Sequence, residues 1–298
     1  MSELLLGRKA LTLSQARVLQ LAAQGLLQHS VVVLLSDHGV TLGEHHDRII
    51  DTAHYRGAAS DLRRVQVAKL ATAPEFTLDF KHDYALDASY GQGSDVLSLK
   101  QYQVVLAVKG FGVDLPKKQV RAMVSLIDLA PTVLDYLHLA PLARADGVSW
   151  KKYFSQNNYS EVPHAFYIET GDRILASESN QINVSAVVQS AVNAYLIEDG
   201  LVMLSPQAEK SIIKGKQRAV MMNGWLLARF PEETQYRLRP DVMHVGQMKF
   251  EPVVSQPYFV LVNLQTGLWT IGLNSAFARK APVGVLMREF QRVYGSEV

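Results

Sequence analysis

Asp37 and His38 are adjacent, follow the uninterrupted apolar run Val31 to Leu35, and are followed in turn by Gly39. A carboxylate and an imidazole side by side offer one hard oxygen donor and one borderline nitrogen donor. That combination suits a hard or borderline divalent cation. Gly39 lets the chain turn away with no side chain crowding such an ion. The same residues also support a plainer arrangement in which Asp37 caps a turn and His38 satisfies a local hydrogen bond. Further along, His54 and Arg56 stand in the stretch AHYRG. An imidazole shuttles a proton near neutral pH, and a guanidinium offers two parallel hydrogen bonds to an anionic group. The plainer reading, favoured for both, is a solvated loop position.

The elements that must position these groups follow from hydrophobic patterning. Val31 to Leu35 is continuous rather than alternating, which favours a strand covered on both faces, as in α/β proteins. Ser14 is placed to cap a preceding helix with an apolar stripe at Leu19, Ala22, Ala23 and Leu26. Open α/β sheets put their ligand sites at the carboxyl ends of strands, which is where Asp37 and His38 fall. Residues 41 to 95 are polar and irregular, with histidines at 45, 46, 54 and 82, and read as short helices and long loops. A second buried strand is expected over Tyr102 to Val108, ended by Gly110. A core helix is expected over 124 to 139, with Asp128 as cap and Pro131 in its first turn.

A Pro-, Gly-, Asn- and Ser-containing stretch after Ala140 marks the boundary between two units, 1–150 and 151–298. Beyond it, strand-like pieces at 165–169, 191–197, 201–204, 220–230 and 258–264 point to a smaller, mostly antiparallel C-terminal sheet. The strongest hairpin signal is Asp199-Gly200. Residues 283 to 294 carry Val285, Leu286, Phe290 and Val293 at helical spacing, so an amphipathic helix closes the chain.

Composition narrows the classes. With 298 residues, 48% hydrophobic and 19% charged, the chain excludes a disordered tail and a fibre. Thirty basic against twenty-eight acidic residues give a net charge of +2 without a strong block of either sign, so no nucleic-acid partner is expected. The cluster Lys210, Lys214, Lys216 and Arg218 reads as a solvated loop or as a face for an anionic partner. No cysteine is present, which excludes thiolate metal sites and a cysteine nucleophile within this chain. The N-terminal MSELLLGRKALTLSQ has too short an apolar patch for a secretory signal or for the roughly 20 residues of a bilayer span. As written, the sequence therefore reads as soluble and cytoplasmic, with no transmembrane segment.

Several segments together resemble one family. LLSDHGVTLGEH at 34–45 is similar to the second metal-binding segment of sulfatases and their relatives in the alkaline phosphatase superfamily. QYQVVLAVKG at 101–110, VSLIDLAPTVLDYLHL at 124–139 with Asp146-Gly147, MNGWLLARF at 222–230 and YFVLVNLQTG at 258–267 resemble later segments of that family in the same order. The resemblance implies a partial alkaline-phosphatase-like α/β sandwich with a smaller C-terminal antiparallel sheet. It implies metal-assisted cleavage of a sulfate or phosphate ester, with Asp37 and His38 as ligands of a divalent ion, calcium foremost and zinc or manganese as alternatives. Within it, the loop Glu44-His45-His46 shapes the surroundings of the metal.

The nucleophile-bearing half that the family carries before this motif has no counterpart here, so an incomplete domain is expected. Gln92, between Gly91 and Gly93, replaces a histidine or lysine of several relatives, and Val40 replaces a common acidic residue. A catalytically inactive relative acting as a binding protein, with no metal if the site is incomplete, is the first alternative. A phosphoethanolamine or phosphoryl transferase relative is the second. Strands left uncovered by an incomplete domain call for a homo-oligomer or a partner chain.

Overall fold

β-Branched residues favour pleated backbone, and Ser30–Leu35 forms the expected strand β1. The computed structural model describes residues 17–62, 84–87, 89–112, 123–151, 165–171, 188, 192, 194–231, 233–238 and 250–295. Ser14, Leu115-Pro116, His82, His164, His244 and most of the 141–164 stretch beyond 151 lie outside the described residues. By contacts the chain divides into two compact units. One holds Met1–Asp37 and Val104–Val162, and the other His38–Gln103 and Pro163–Val298. These cuts differ from the boundary at 150/151 read from sequence.

In the first unit β1 pairs antiparallel with β4 (Leu106–Phe111), with Val33 opposite Val108. No residue of β1 is buried, and Leu34 and Leu35 are 56% and 43% exposed, so the two-sided cover expected of this run is absent. A continuous apolar run identifies a strand but does not specify how many elements cover it. β4 starts at Leu106 rather than Tyr102, runs through Gly110 to Phe111, and, like β1, has no buried residue, so the second strand expected to be buried is only half covered. A helix spans 17–23.

The SLIDLAPT stretch folds as a 3-10 turn, Leu126–Asp128, leading into the helix Leu129–Tyr136. Ser125 and Asp128 form a capping box. Asp128 is buried and also receives Val148 N at 2.9 Å and Trp150 Nε1 at 3.0 Å, which docks the 146–150 loop on the helix start. Gly147 is required there, since a Cβ would lie 2.1 Å from the Ile127 carbonyl oxygen. Asp128 thus packs as a buried acceptor, but the cap expected of it belongs to Ser125: Asp128 is the third residue of the 3-10 turn, and its side chain makes no cap hydrogen bond to the helix Leu129–Tyr136. His138 ends the helix with φ at 54°.

The second unit carries the principal sheet. A two-residue ribbon joins β2 (Thr41–Leu42) to β3 (Tyr90–Gly91). The five-stranded antiparallel sheet uses β5 (Phe166–Glu169), β8 (Arg218–Met222), β9 (Trp225–Phe230), β12 (Tyr258–Asn263) and β13 (Trp269–Ile271), in the order β13-β12-β9-β8-β5. Hairpins β6 (Tyr195–Glu198) with β7 (Leu201–Leu204), and β10 (Glu233–Leu238) with β11 (Phe250–Ser255), are separate pairs. The chain is therefore mixed α/β with antiparallel sheets.

The stretch read as one strand over 220–230 is a hairpin. Asn223 and Gly224, at φ of 52° and 75°, supply the left-handed pair a tight turn needs. The basic stretch from Lys210 is not a loop but the helix Pro206–Gly215, whose cap Ser205 accepts from Ala208 N at 3.3 Å.

Strand alternation splits the five-stranded sheet into two apolar faces. One packs Leu226, Ala228, Val260 and Trp269 against Ile50, Leu86, Val96 and Leu97. The other packs Val220, Leu227 and Leu261 against Leu286 and Phe290 of the closing helix, Val283–Tyr294. Each fully buried aliphatic or aromatic side chain here contributes about 1.5–3 kcal/mol relative to exposure.

Candidate functional site

Ser36, directly after β1, is tied to Val105 by its own N–H (3.1 Å) and by the Val105 N–H donating to Ser36 Oγ (2.9 Å). The next residue, Asp37, is exposed and is the last of the first unit. His38, also exposed, is the first of the second. Its Nδ1 lies 2.9 Å from the Gly39 carbonyl oxygen. A carbonyl only accepts, so Nδ1 carries the proton and the neutral ring has its lone pair on Nε2, the tautomer that binds a metal.

Gly39 has a reason beyond leaving room for an ion. Its N–H donates to Gln101 O at 3.0 Å, and a Cβ would fall 2.0 Å from Lys100 O and 2.8 Å from Gln103 O. The backbone of residues 100–103 thus occupies the space a side chain would need.

The polar segment after Gly39 is ordered by buried side chains. Gln101 Nε2 donates to Thr41 Oγ1 (2.9 Å) and Ser89 Oγ (3.0 Å), and its Oε1 accepts from Ser94 N (2.9 Å). Asp95 accepts from Arg48 Nε and Ser89 Oγ, a buried charge pair with its hydrogen bonds satisfied. Asp47 accepts from Gly43 N, Glu44 N and Lys100 Nζ, which closes the GEHHD turn. Asp87 Oδ2 accepts His46 N (3.2 Å) and lies 3.2 Å from His45 Nδ1. Asp87 Oδ1 is buried without a hydrogen-bond partner among the described residues. His45 and His46 are thus held by Asp87, in keeping with a loop-shaping role. Burial, then the Asp95 charge, raises the Tyr102 hydroxyl above its usual pKa.

His54 is held by a residue that sequence reading did not single out. Its Nδ1 lies 2.7 and 2.8 Å from the two carboxylate oxygens of Asp51, and its N–H donates to Asp51 Oδ1 at 2.8 Å. The i,i+3 spacing of Asp51 and His54 is the signal that was available. Trp269, buried in the core, also fastens this loop. Its Nε1 donates to Asp51 O (2.6 Å), its N–H to His54 O (3.1 Å), and its carbonyl accepts from Arg56 N (2.8 Å). The His54 side chain remains 47% exposed. Arg56 Nη1 donates to Ala53 O (3.0 Å) and Tyr55 O (2.7 Å), so one arm of the guanidinium braces its own loop. Burial, then the Asp61 charge, raises the neighbouring Tyr55 hydroxyl.

Protein metal sites commonly use three or more side-chain donors. Among the described residues no group of three or more His, Asp or Glu side chains is arranged to hold a metal ion. Asp37 and His38 are chemically suited as ligands, but the pair alone does not make a site. Also among the described residues, no helix is long and apolar enough to cross a membrane.

No known family profile and no curated protein matches the chain. Among solved structures it is similar to a phosphonate monoester hydrolase from Silicibacter pomeroyi, with 14% identity and a TM-score of 0.41 over 93% of this chain. The chain spans 36% of the length of that hydrolase.

Proposed function

We propose that this chain forms part of a sulfatase-like hydrolase, supplying Asp37 and His38 as two ligands of a divalent cation in the cleavage of a sulfate or phosphate ester. The observation that carries this reading is the pair itself, two exposed donors of unlike type directly after β1, with Nδ1 of His38 bonded so that Nε2 has the lone pair. A divalent cation held by Asp37 and His38, calcium foremost and zinc or manganese otherwise, would supply Lewis-acid polarisation of the ester oxygens. Asp51 holds Nδ1 of His54, which leaves Nε2, when protonated, to give its proton to the departing ester oxygen as a water oxygen bonds to the sulfur or phosphorus in its place. Arg56 offers its Nε and Nη2 to an ester oxygen while Nη1 stays on its loop. Exposed Leu34, Leu35 and Val105 mark the surface that a second copy or a partner chain covers.

The competing reading, an inactive relative that binds rather than cleaves, is favoured by Gln92. Its amide, exposed between Gly91 and Gly93, cannot act as an acid at neutral pH. Calorimetric titration of the full chain with calcium, zinc and manganese, repeated on Asp37→Ala and His38→Ala, separates these outcomes. The metal-ligand reading expects affinity to fall by more than about tenfold in each variant. A screen with sulfate monoesters and phosphodiesters then divides hydrolase from binding protein. Running it over a protein concentration series with sedimentation velocity reads self-association at the same time. Cation binding that is absent, or unchanged in both variants, refutes the assignment of Asp37 and His38.

A further inference from the structure

One row of side chains runs across the five-stranded sheet. Glu169 on β5 faces Arg218 on β8, Arg218 faces Arg229 on β9, and Arg229 faces Phe259 on β12. Alternation puts all four on the face that packs against the closing helix, since their neighbours Tyr167, Val220, Leu227 and Leu261 belong to that core. Two arginines directly opposite each other on one face repel.

The row's one carboxylate is shared. Glu169 Oε1 takes Arg218 Nε at 3.1 Å and lies 3.6 Å from Lys216 Nζ. Arg218 also stands over the Tyr294 ring, 5.1 Å from its centroid. The other carboxylate on this face, Glu289, is engaged by Tyr167 OH (2.8 Å) and Arg292 Nε (2.9 Å). Arg229 is half-buried, and among the described residues no carboxylate, carbonyl or ring is placed on its guanidinium. Burial, then the Arg218 charge, holds its pKa below the usual value, though a guanidinium remains cationic at neutral pH. Past Phe259 the row meets Gly272, which donates to Phe259 O at 2.7 Å, and a Cβ there would find nothing within 4 Å.

We propose that Arg218 and Arg229 form a binding site for a tetrahedral oxyanion, a phosphate or sulfate group, on the closing-helix face of the sheet. Guanidiniums at cross-strand spacing, roughly 5 Å between Cβ atoms, donate to different oxygens of one such anion. Its charge replaces their mutual repulsion with two attractions. Neither Asp37 nor His38 takes part in this site, so it stands or falls apart from their assignment as metal ligands.

The test uses the full chain at constant ionic strength, with chloride as reference. Inorganic phosphate and inorganic sulfate are added separately, with phenyl phosphate to tell a free ion from a phosphate carried on a larger molecule. Thermal melting and the arginine Nε–H resonances are read together. Phosphate and sulfate are expected to raise the melting temperature above the chloride value and to shift two arginine resonances. Arg229→Gln should abolish both effects and raise the anion-free melting temperature by removing the repulsion. Arg229→Lys keeps the charge without the fork and should bind about tenfold more weakly. An oxyanion response retained in Arg229→Gln, no response beyond chloride in the parent chain, or an equal response to acetate would each overturn the proposal.

Discussion

Replacing Gly39 by alanine tests how closely the DHG segment is built against residues 100–103. The added Cβ would sit 2.0 Å from Lys100 O and 2.8 Å from Gln103 O, both backbone atoms that no side-chain rotation can clear. Ordinary contact needs more than 3 Å, so the strands of chain must separate by more than about 1 Å. That separation stretches the 3.0 Å bond from Gly39 N to Gln101 O and disturbs Gln101, whose side chain bridges Thr41, Ser89 and Ser94. Overpacking costs about 1–3 kcal/mol and a lost backbone bond about 1 kcal/mol, so a loss of about 2–4 kcal/mol is expected. Urea denaturation followed by tryptophan fluorescence measures it, because buried Trp269 reports on the same unit. Gly215→Ala is the internal control. Gly215 ends the helix Pro206–Gly215 with nothing within 4 Å of its Cβ position, so alanine there should be neutral or stabilising by up to about 1 kcal/mol. If Gly39→Ala behaves like Gly215→Ala, the close approach argued for the motif is wrong.

Two further substitutions probe the polar groups that hold each unit. Asp128→Ala strands three donors, Ser125 N, Val148 N and Trp150 Nε1, and should cost about 3–5 kcal/mol by urea titration, whereas a loss under 1 kcal/mol would contradict the docking described for the 146–150 loop. Tyr102→Phe removes a buried hydroxyl that has no hydrogen-bond partner among the described residues, so stability should rise by about 1 kcal/mol. A lower urea midpoint for this variant would show that the hydroxyl is satisfied after all.

Local signals were legible where one segment carries its own instruction. The turn at Asp199-Gly200 and the closing helix over Val283–Tyr294 were legible, because turn chemistry and helical spacing act within a few residues, although the strand before that turn begins at Tyr195 rather than 191, residues 192 and 194 being helical. Two local signals were present and overlooked. Asn223-Gly224 splits the stretch taken for one long strand, and Ser205-Pro206 opens a helix in what was taken for a basic loop. Asp51 belongs with these, since its spacing to His54 was on view. Asp87 does not, because its contact with His45 spans 42 residues and leaves no local trace.

By itself, the amino-acid sequence determined the chemical inventory: a carboxylate and an imidazole beside a flexible glycine, no thiol, and strands and helices whose periods are written in adjacent residues. Only the tertiary structure decided that Gly39 lies against the backbone at 100–103, that Asp51 and Trp269 hold His54, and that two arginines face each other across β8 and β9. The physical reason is range. Propensity and periodicity act over a few residues, whereas these contacts depend on strand register and on packing between segments far apart in the chain, which no short window of sequence encodes.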